Sequence, residues 1–341
     1  MKQAVMVSPG KIIVANVEDL VDIKDNQILL NIKKIGVCGS DIHVYHGKHP
    51  FTPFPVVQGH EYSAVVMKVG KQVKDFAVGD YVTARPQLTC SQCGPCRKGN
   101  YNVCTNLKVE GFQAPGVAQD LFAVDADRAY RIPKEISLDH IALIEPAAVG
   151  AHATAKIENI VDKNIVVMGA GPIGNLIAQF ALIRGARSVV ITDFNAFRLE
   201  KAKEVGIANT INLATEGFEA GILRIFGTVG FQVGIEAVGV NAALDNLVNN
   251  IEKGGEVIIV GVYEEHPNLN MGFVCEHELT IKGSMMYKDE DYKEAISFLC
   301  HNKLVLDPLI THRFDFIDYQ KAYEFIDVNS KDIMKVIIDV N

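Results

Sequence analysis

The sequence predicts an α/β protein in two parts, a β-rich first part followed by a doubly wound parallel sheet, and three observations carry that expectation. At 341 residues the chain is longer than one hydrophobic core usually organises. The stretch NIVVMGAGPIGNLIAQFALIRGA reads as strand, tight glycine turn and helix. After it, apolar runs alternate with helical stretches.

Those runs are NIVVM, SVVITD, NTINL, FQVGIEAVG, GEVIIVGV and LTIKGSM, separated by segments such as NAFRLEKAKEVG and NAALDNLVNNIEKG that suit helices. Six strands alternating with helices give a doubly wound sheet whose ligand lies across the carboxyl ends of the strands. The first half has instead short alternating segments, among them YSAVVMKVG and DYVTARP, bounded by Gly-Asp and Pro turns. We divide the chain into 1–149, 150–285 and 286–341. The last part holds two helical stretches, DYKEAISFLC and DYQKAYEFI, and a closing strand, MKVIIDV, and is expected to return to the first domain.

The glycine turn has a specific use. Gly169 permits the tight turn, Gly171 lets backbone approach a pyrophosphate, and Gly174 lets helix and strand pack closely, with Pro172 and Ile173 opening the helix whose positive end faces the phosphates. Asp193 ends the next apolar run, where its carboxylate can accept hydrogen bonds from an adenosine ribose. It would repel a 2'-phosphate, so NAD is expected rather than NADP. Arg198, five residues on, is the one group that could answer a phosphate.

Residues 90–104 read CSQCGPCRKGNYNVC. Short loops let Cys90, Cys93, Cys96 and Cys104 converge on one tetrahedral ion, and four thiolates leave no position for substrate. This metal is structural. Upstream, Cys38 in GVCGSDIH and His60 in QGHEYS, with a carboxylate from Glu61 or from Glu145 in LIEPAAVGAH, suit an open zinc site with its fourth position free for water or substrate.

A net charge of -8 would repel a phosphate backbone, so nucleic acid is excluded as a partner. No apolar run is long enough to span a bilayer, and the start MKQAVMVSPGKIIVANVEDL lacks a leader pattern. A cytoplasmic, reducing location is expected.

In order and spacing, CGSDIH, GHE, the four-cysteine lobe, the IEP segment and VMGAGPIG are similar to those of the zinc-dependent medium-chain dehydrogenases, over essentially the whole chain. The branch resembled holds sorbitol (L-iditol), threonine, butanediol and sugar-acid dehydrogenases. The resemblance implies a GroES-like catalytic domain, a Rossmann domain, two zincs per chain, NAD and a homodimer or homotetramer. It implies that Cys38, His60 and Glu61 hold the catalytic zinc, with Glu145 near enough to replace Glu61 or contact the bound water. Ser40 and His43 match the proton-relay positions. Two departures, Ala64 where the family usually has glycine and Gln119 where it has glutamate, touch no implied ligand.

The segment VYHGKHPFTPFP sets His46, Lys48 and His49 close behind the zinc motif. These groups suit a hydroxyl-rich substrate, and with the resemblance they point first to an aldonate such as L-gulonate, L-idonate or L-galactonate. Polyols come next, then threonine or butanediol. The reading from another class is a zinc-stapled nucleotide-binding sensor without turnover.

Overall fold

A computed structural model describes residues 1–340 as two units. The first comprises Met1–Glu145, Leu299–His301 and the chain from Ile310 onward; the second comprises Pro146–Phe298 and Asn302–Leu309. Among the described residues no helix is long and apolar enough to cross a membrane.

The first unit is built on a seven-stranded sheet. Strand Gln27–Val37 is its spine, pairing antiparallel with Glu61–Val69, Leu121–Asp125 and the last strand of the chain, Lys335–Asp339. Alternation sends Ile28, Leu30 and Ile32 into a core shared with Tyr62, Val66 and Ile338. Register then does the work of placement. Gly36 lies opposite Glu61, and Val37 lies opposite Val336. The carboxyl end of one strand therefore meets the amino ends of two others, from residues far apart in sequence. Gly36 makes the approach possible, since a Cβ there would stand 2.3 Å from a Glu61 carboxylate oxygen.

The second unit is a six-stranded parallel sheet in the order Asn209–Asn212, Ser188–Asp193, Asn164–Met168, Val233–Glu236, Glu256–Ile259, Thr280–Gly283. Those are the six runs expected from sequence. Every residue of the central strand Asn164–Met168 is buried, as follows when helices cover both faces. Strand order reverses beside it, which opens a crevice at the carboxyl ends.

The return at residue 286 needs correction. Helix Asp289–Cys300 packs on the second unit almost to its end: Phe298 stacks on Phe180 at 5.3 Å, Glu294 pairs with Arg184, and Asp291 bonds the buried His152 at 2.6 Å. The backbone of Val305 also exchanges two hydrogen bonds with the side chain of Gln179. The chain rejoins the first sheet only with strand Ile310–Asp315. At the other boundary, the first unit ends at Glu145, inside helix Ile144–Ala155 and four residues before the expected break at 149.

Candidate active site

Cys38 follows strand Gln27–Val37 directly and caps helix Gly39–Tyr45, while Glu61 opens strand Glu61–Val69 and His60 immediately precedes it. The strand register brings ligand atoms of all three within 4.8 Å of one another. A thiolate, an imidazole and a carboxylate are zinc donors, and three of them leave one position open. The imidazole is also prepared for the role. Asp41, 1% exposed, accepts the Cys38 N–H at 3.0 Å with one carboxylate oxygen and stands 3.5 Å from His60 Nδ1 with the other. That second oxygen places a buried carboxylate behind the ring, the position from which a carboxylate orients a metal-binding imidazole. Burial opposes charging His60, but Asp41 and Cys38 outweigh it and push the ring well above its ordinary value.

Glu61 faces a partner that sequence reasoning missed. Lys335, 3% exposed, donates to both its oxygens at 2.8 and 2.7 Å and to the Val37 carbonyl at 3.2 Å. Burial alone would push Lys335 down; the charges of Glu61, Cys38 and Glu145 hold it above its ordinary value. Glu145, buried at the start of helix Ile144–Ala155, is not among the three donors that converge. Ser40 and His43 stand three residues apart on helix Gly39–Tyr45 and so share a face, Ser40 half-buried and His43 exposed.

The four cysteines of the lobe converge as expected, all sulfurs within 4.8 Å. Cys104 Sγ lies 3.5 Å from Cys90 Sγ and 3.9 Å from Cys93 Sγ. Disulfide sulfurs would sit at about 2.05 Å, whereas sulfurs around a tetrahedral zinc, each at about 2.3 Å from it, lie about 3.8 Å apart. Backbone N–H groups of Cys96 and Thr105 push the Cys93 thiol down, while burial pushes Cys96 up. The lobe is tied to the sheet by Arg85, whose guanidinium lies 5.5 Å from the Tyr101 ring centre and 5.8 Å from that of Tyr130. Replacing Cys93 or Cys104 with serine is expected to remove one of two zincs and lower Tm by about 10 °C. Metal analysis and a thermal melt check this, and a variant still holding two zincs would contradict it.

In the second unit, strand Asn164–Met168 runs into Gly169 at φ +96° and then into helix Pro172–Ile183, capped by Gly171. A Cβ on Gly174 would stand 1.8 Å from the Gly169 carbonyl oxygen, so the turn and the helix close only with glycine there. Asp193 ends strand Ser188–Asp193 and accepts the N–H of Ala170 at 2.9 Å and of Asn195 at 2.9 Å. Arg198 is half-buried in helix Ala196–Glu204. A second acid went unread in the sequence: Glu236, fully buried at the end of the next strand but one in chain order, accepts the N–H groups of Val238 and Gly239 at 2.8 Å each.

Residues 24–134 match the alcohol dehydrogenase GroES-like domain, and residues 172–300 match the zinc-binding dehydrogenase domain. L-threonine 3-dehydrogenase of Escherichia fergusonii is 35% identical over 304 residues, 88% of each chain. The chain belongs to the zinc-dependent medium-chain dehydrogenases. Among solved structures, galactitol-1-phosphate dehydrogenase from Escherichia coli superposes with a TM-score of 0.92 at 29% identity, covering 99% of this chain and 100% of that one. An alcohol dehydrogenase from E. coli CFT073 complexed with NADH gives 0.92 at 28% identity over 99% of both chains. This dehydrogenase is therefore an oxidoreductase acting on alcohols, with zinc and a nicotinamide dinucleotide as cofactors.

Proposed function

We propose that this dehydrogenase oxidises the secondary hydroxyl of a small alcohol with a polar group on the neighbouring carbon, L-threonine or a 2,3-diol, and uses NAD. The observation that carries the reading is the convergence of Cys38, His60 and Glu61 within 4.8 Å, a three-donor set with one position to spare. Cys38 and His60, with Glu61 or Glu145, would hold the catalytic metal, and Cys90, Cys93, Cys96 and Cys104 the structural one. When bound, zinc supplies Lewis acidity that makes a hydroxyl proton easier to lose. NAD, when bound, accepts the hydride.

The chain's own groups supply the rest. Ser40 takes the hydroxyl proton and passes it along the helix face to the exposed His43, which releases it to solvent. Asp41 keeps the His60 ring in the orientation that presents its other nitrogen. Lys335 balances the Glu61 charge, so that the buried cluster does not accumulate negative charge.

The expected order of substrates changes. The sequence placed aldonates first, on the strength of three basic groups in one loop, but the threonine dehydrogenase relative favours the reading placed last. NADH formation with L-threonine, (2R,3R)-2,3-butanediol, sorbitol and L-gulonate tests this. Threonine or the diol is expected to give the highest kcat/KM; an aldonate in first place would refute the proposal.

NAD follows from Asp193, whose carboxylate accepts a ribose 2'-hydroxyl and repels a phosphate. We expect kcat/KM for NAD to exceed that for NADP by on the order of 100-fold, and Asp193→Ser to narrow the gap. Equal use of both cofactors by the wild type would mean that Arg198 decides the matter instead.

A further inference from the structure

Of the three basic residues in the loop after helix Gly39–Tyr45, His49 is joined to the metal-binding cluster through ring contacts. His46 Nε2 lies 2.9 and 3.1 Å from the two Asp327 oxygens, and Lys48 is exposed. His49 is half-buried, and its ring centre lies 5.0 Å from that of Phe112, which in turn lies 5.1 Å from that of His60. Three rings thus stand in a row from the loop to the metal-binding histidine.

His49 is also fixed in orientation. Its Nδ1 bonds Thr52 Oγ1 at 2.7 Å, which leaves Nε2 for a ligand. The next residue after Phe112, Gln113, accepts the Val109 N–H at 3.0 Å and donates to the Phe51 carbonyl at 3.2 Å, clasping the two loops together. A side chain held by a hydrogen bond from Thr52 and a ring contact with Phe112 is prepared to recognise rather than to move.

We propose that His49 is a specificity-determining residue, held by Thr52 and Phe112 so that Nε2 hydrogen-bonds a hydroxyl or amino group on the carbon next to the one oxidised. The inference rests on the alcohol dehydrogenase reading above and deepens it. Burial, with His43 behind it, pushes the imidazole below its ordinary value despite Asp41, so at neutral pH the ring is an uncharged donor and acceptor. Such a ring pairs with a hydroxyl or an amine. A site built to bond a polar substituent discriminates against the analogue that lacks it.

The experiment compares (2R,3R)-2,3-butanediol and L-threonine with 2-butanol, using the full-length zinc enzyme and NAD, in the wild type, His49→Leu, His49→Asn and Thr52→Val. For His49→Leu we expect kcat/KM on the diol and threonine to fall about 10-fold, through KM, while that on 2-butanol stays within about three-fold. His49→Asn should recover part of the loss, and Thr52→Val should show a smaller loss of the same selectivity. Equal falls on all three alcohols, or a fall in kcat with KM unchanged, would overturn the role of His49 and leave the dehydrogenase reading standing. Absence of turnover of every alcohol by the wild type would overturn the proposed function, and this inference with it.

Discussion

The Cys38→Ala enzyme is expected to lose turnover by on the order of 10,000-fold while remaining folded and binding NADH within about two-fold of the wild type. The two effects are expected to separate because the residues proposed to bind the cofactor lie on a different sheet. Gly169, Gly171 and Asp193 belong wholly to the second unit, and Cys38 to the first. Removing the thiolate takes away one of three converging donors and the only sulfur among them. What remains, an imidazole and a carboxylate already bonded to Lys335, is a weak site for zinc. Fluorescence titration with NADH, metal content and steady-state rates together check the prediction. A Cys38→Ala enzyme with one zinc fewer and undiminished turnover would end the proposed mechanism.

The second large effect concerns Lys335. Lys335→Met leaves Glu61 as a fully buried anion without its counter-charge, and breaking such a pair from one side costs about 3–5 kcal/mol of stability. We expect the metal-free variant to show that loss in denaturant unfolding of the first unit. Lys335→Met combined with Glu61→Gln should recover most of it, because the stranded charge is gone. Zinc adds a discriminating arm. If Glu61 is the third donor, metal binding rescues the single variant more than it stabilises the wild type; if Glu145 is the donor, the rescue is absent. Undiminished stability of the metal-free single variant would show that the pair does not hold the strand ends together.

What could be read in the sequence was local. The four cysteines, the glycine turn with Asp193 and the six strands of the second sheet are set by spacing within a few dozen residues, and the fold follows them. Asp41 sat in the quoted CGSDIH stretch without a role, and only burial against His60 gives it one. Lys335 was less accessible still. It precedes an apolar run in MKVIIDV, 274 residues from Glu61, and no local pattern links them; the pairing of Val336 with Val37 does. The same limit explains helix Asp289–Cys300. Its apolar spacing called for burial somewhere, but the partner sheet was decided by Phe298 against Phe180 and by Asp291 against His152.

That long-range pairing has a consequence for how the chain is made. The sheet of the first unit needs strands Ile310–Asp315 and Lys335–Asp339, the latter hydrogen-bonded directly to its spine. A ribosome delivers the spine long before these strands. The second unit is complete in sequence once residue 309 has been synthesised. Domains fold as units during synthesis, so the second unit can close first while the larger part of the first waits, its spine paired with Glu61–Val69 and Leu121–Asp125 but not yet with Lys335–Asp339. A nascent chain released before residue 335 would carry a finished dinucleotide-binding sheet and a metal-binding half lacking strand Lys335–Asp339 and the Lys335 counter-charge bonded to Glu61.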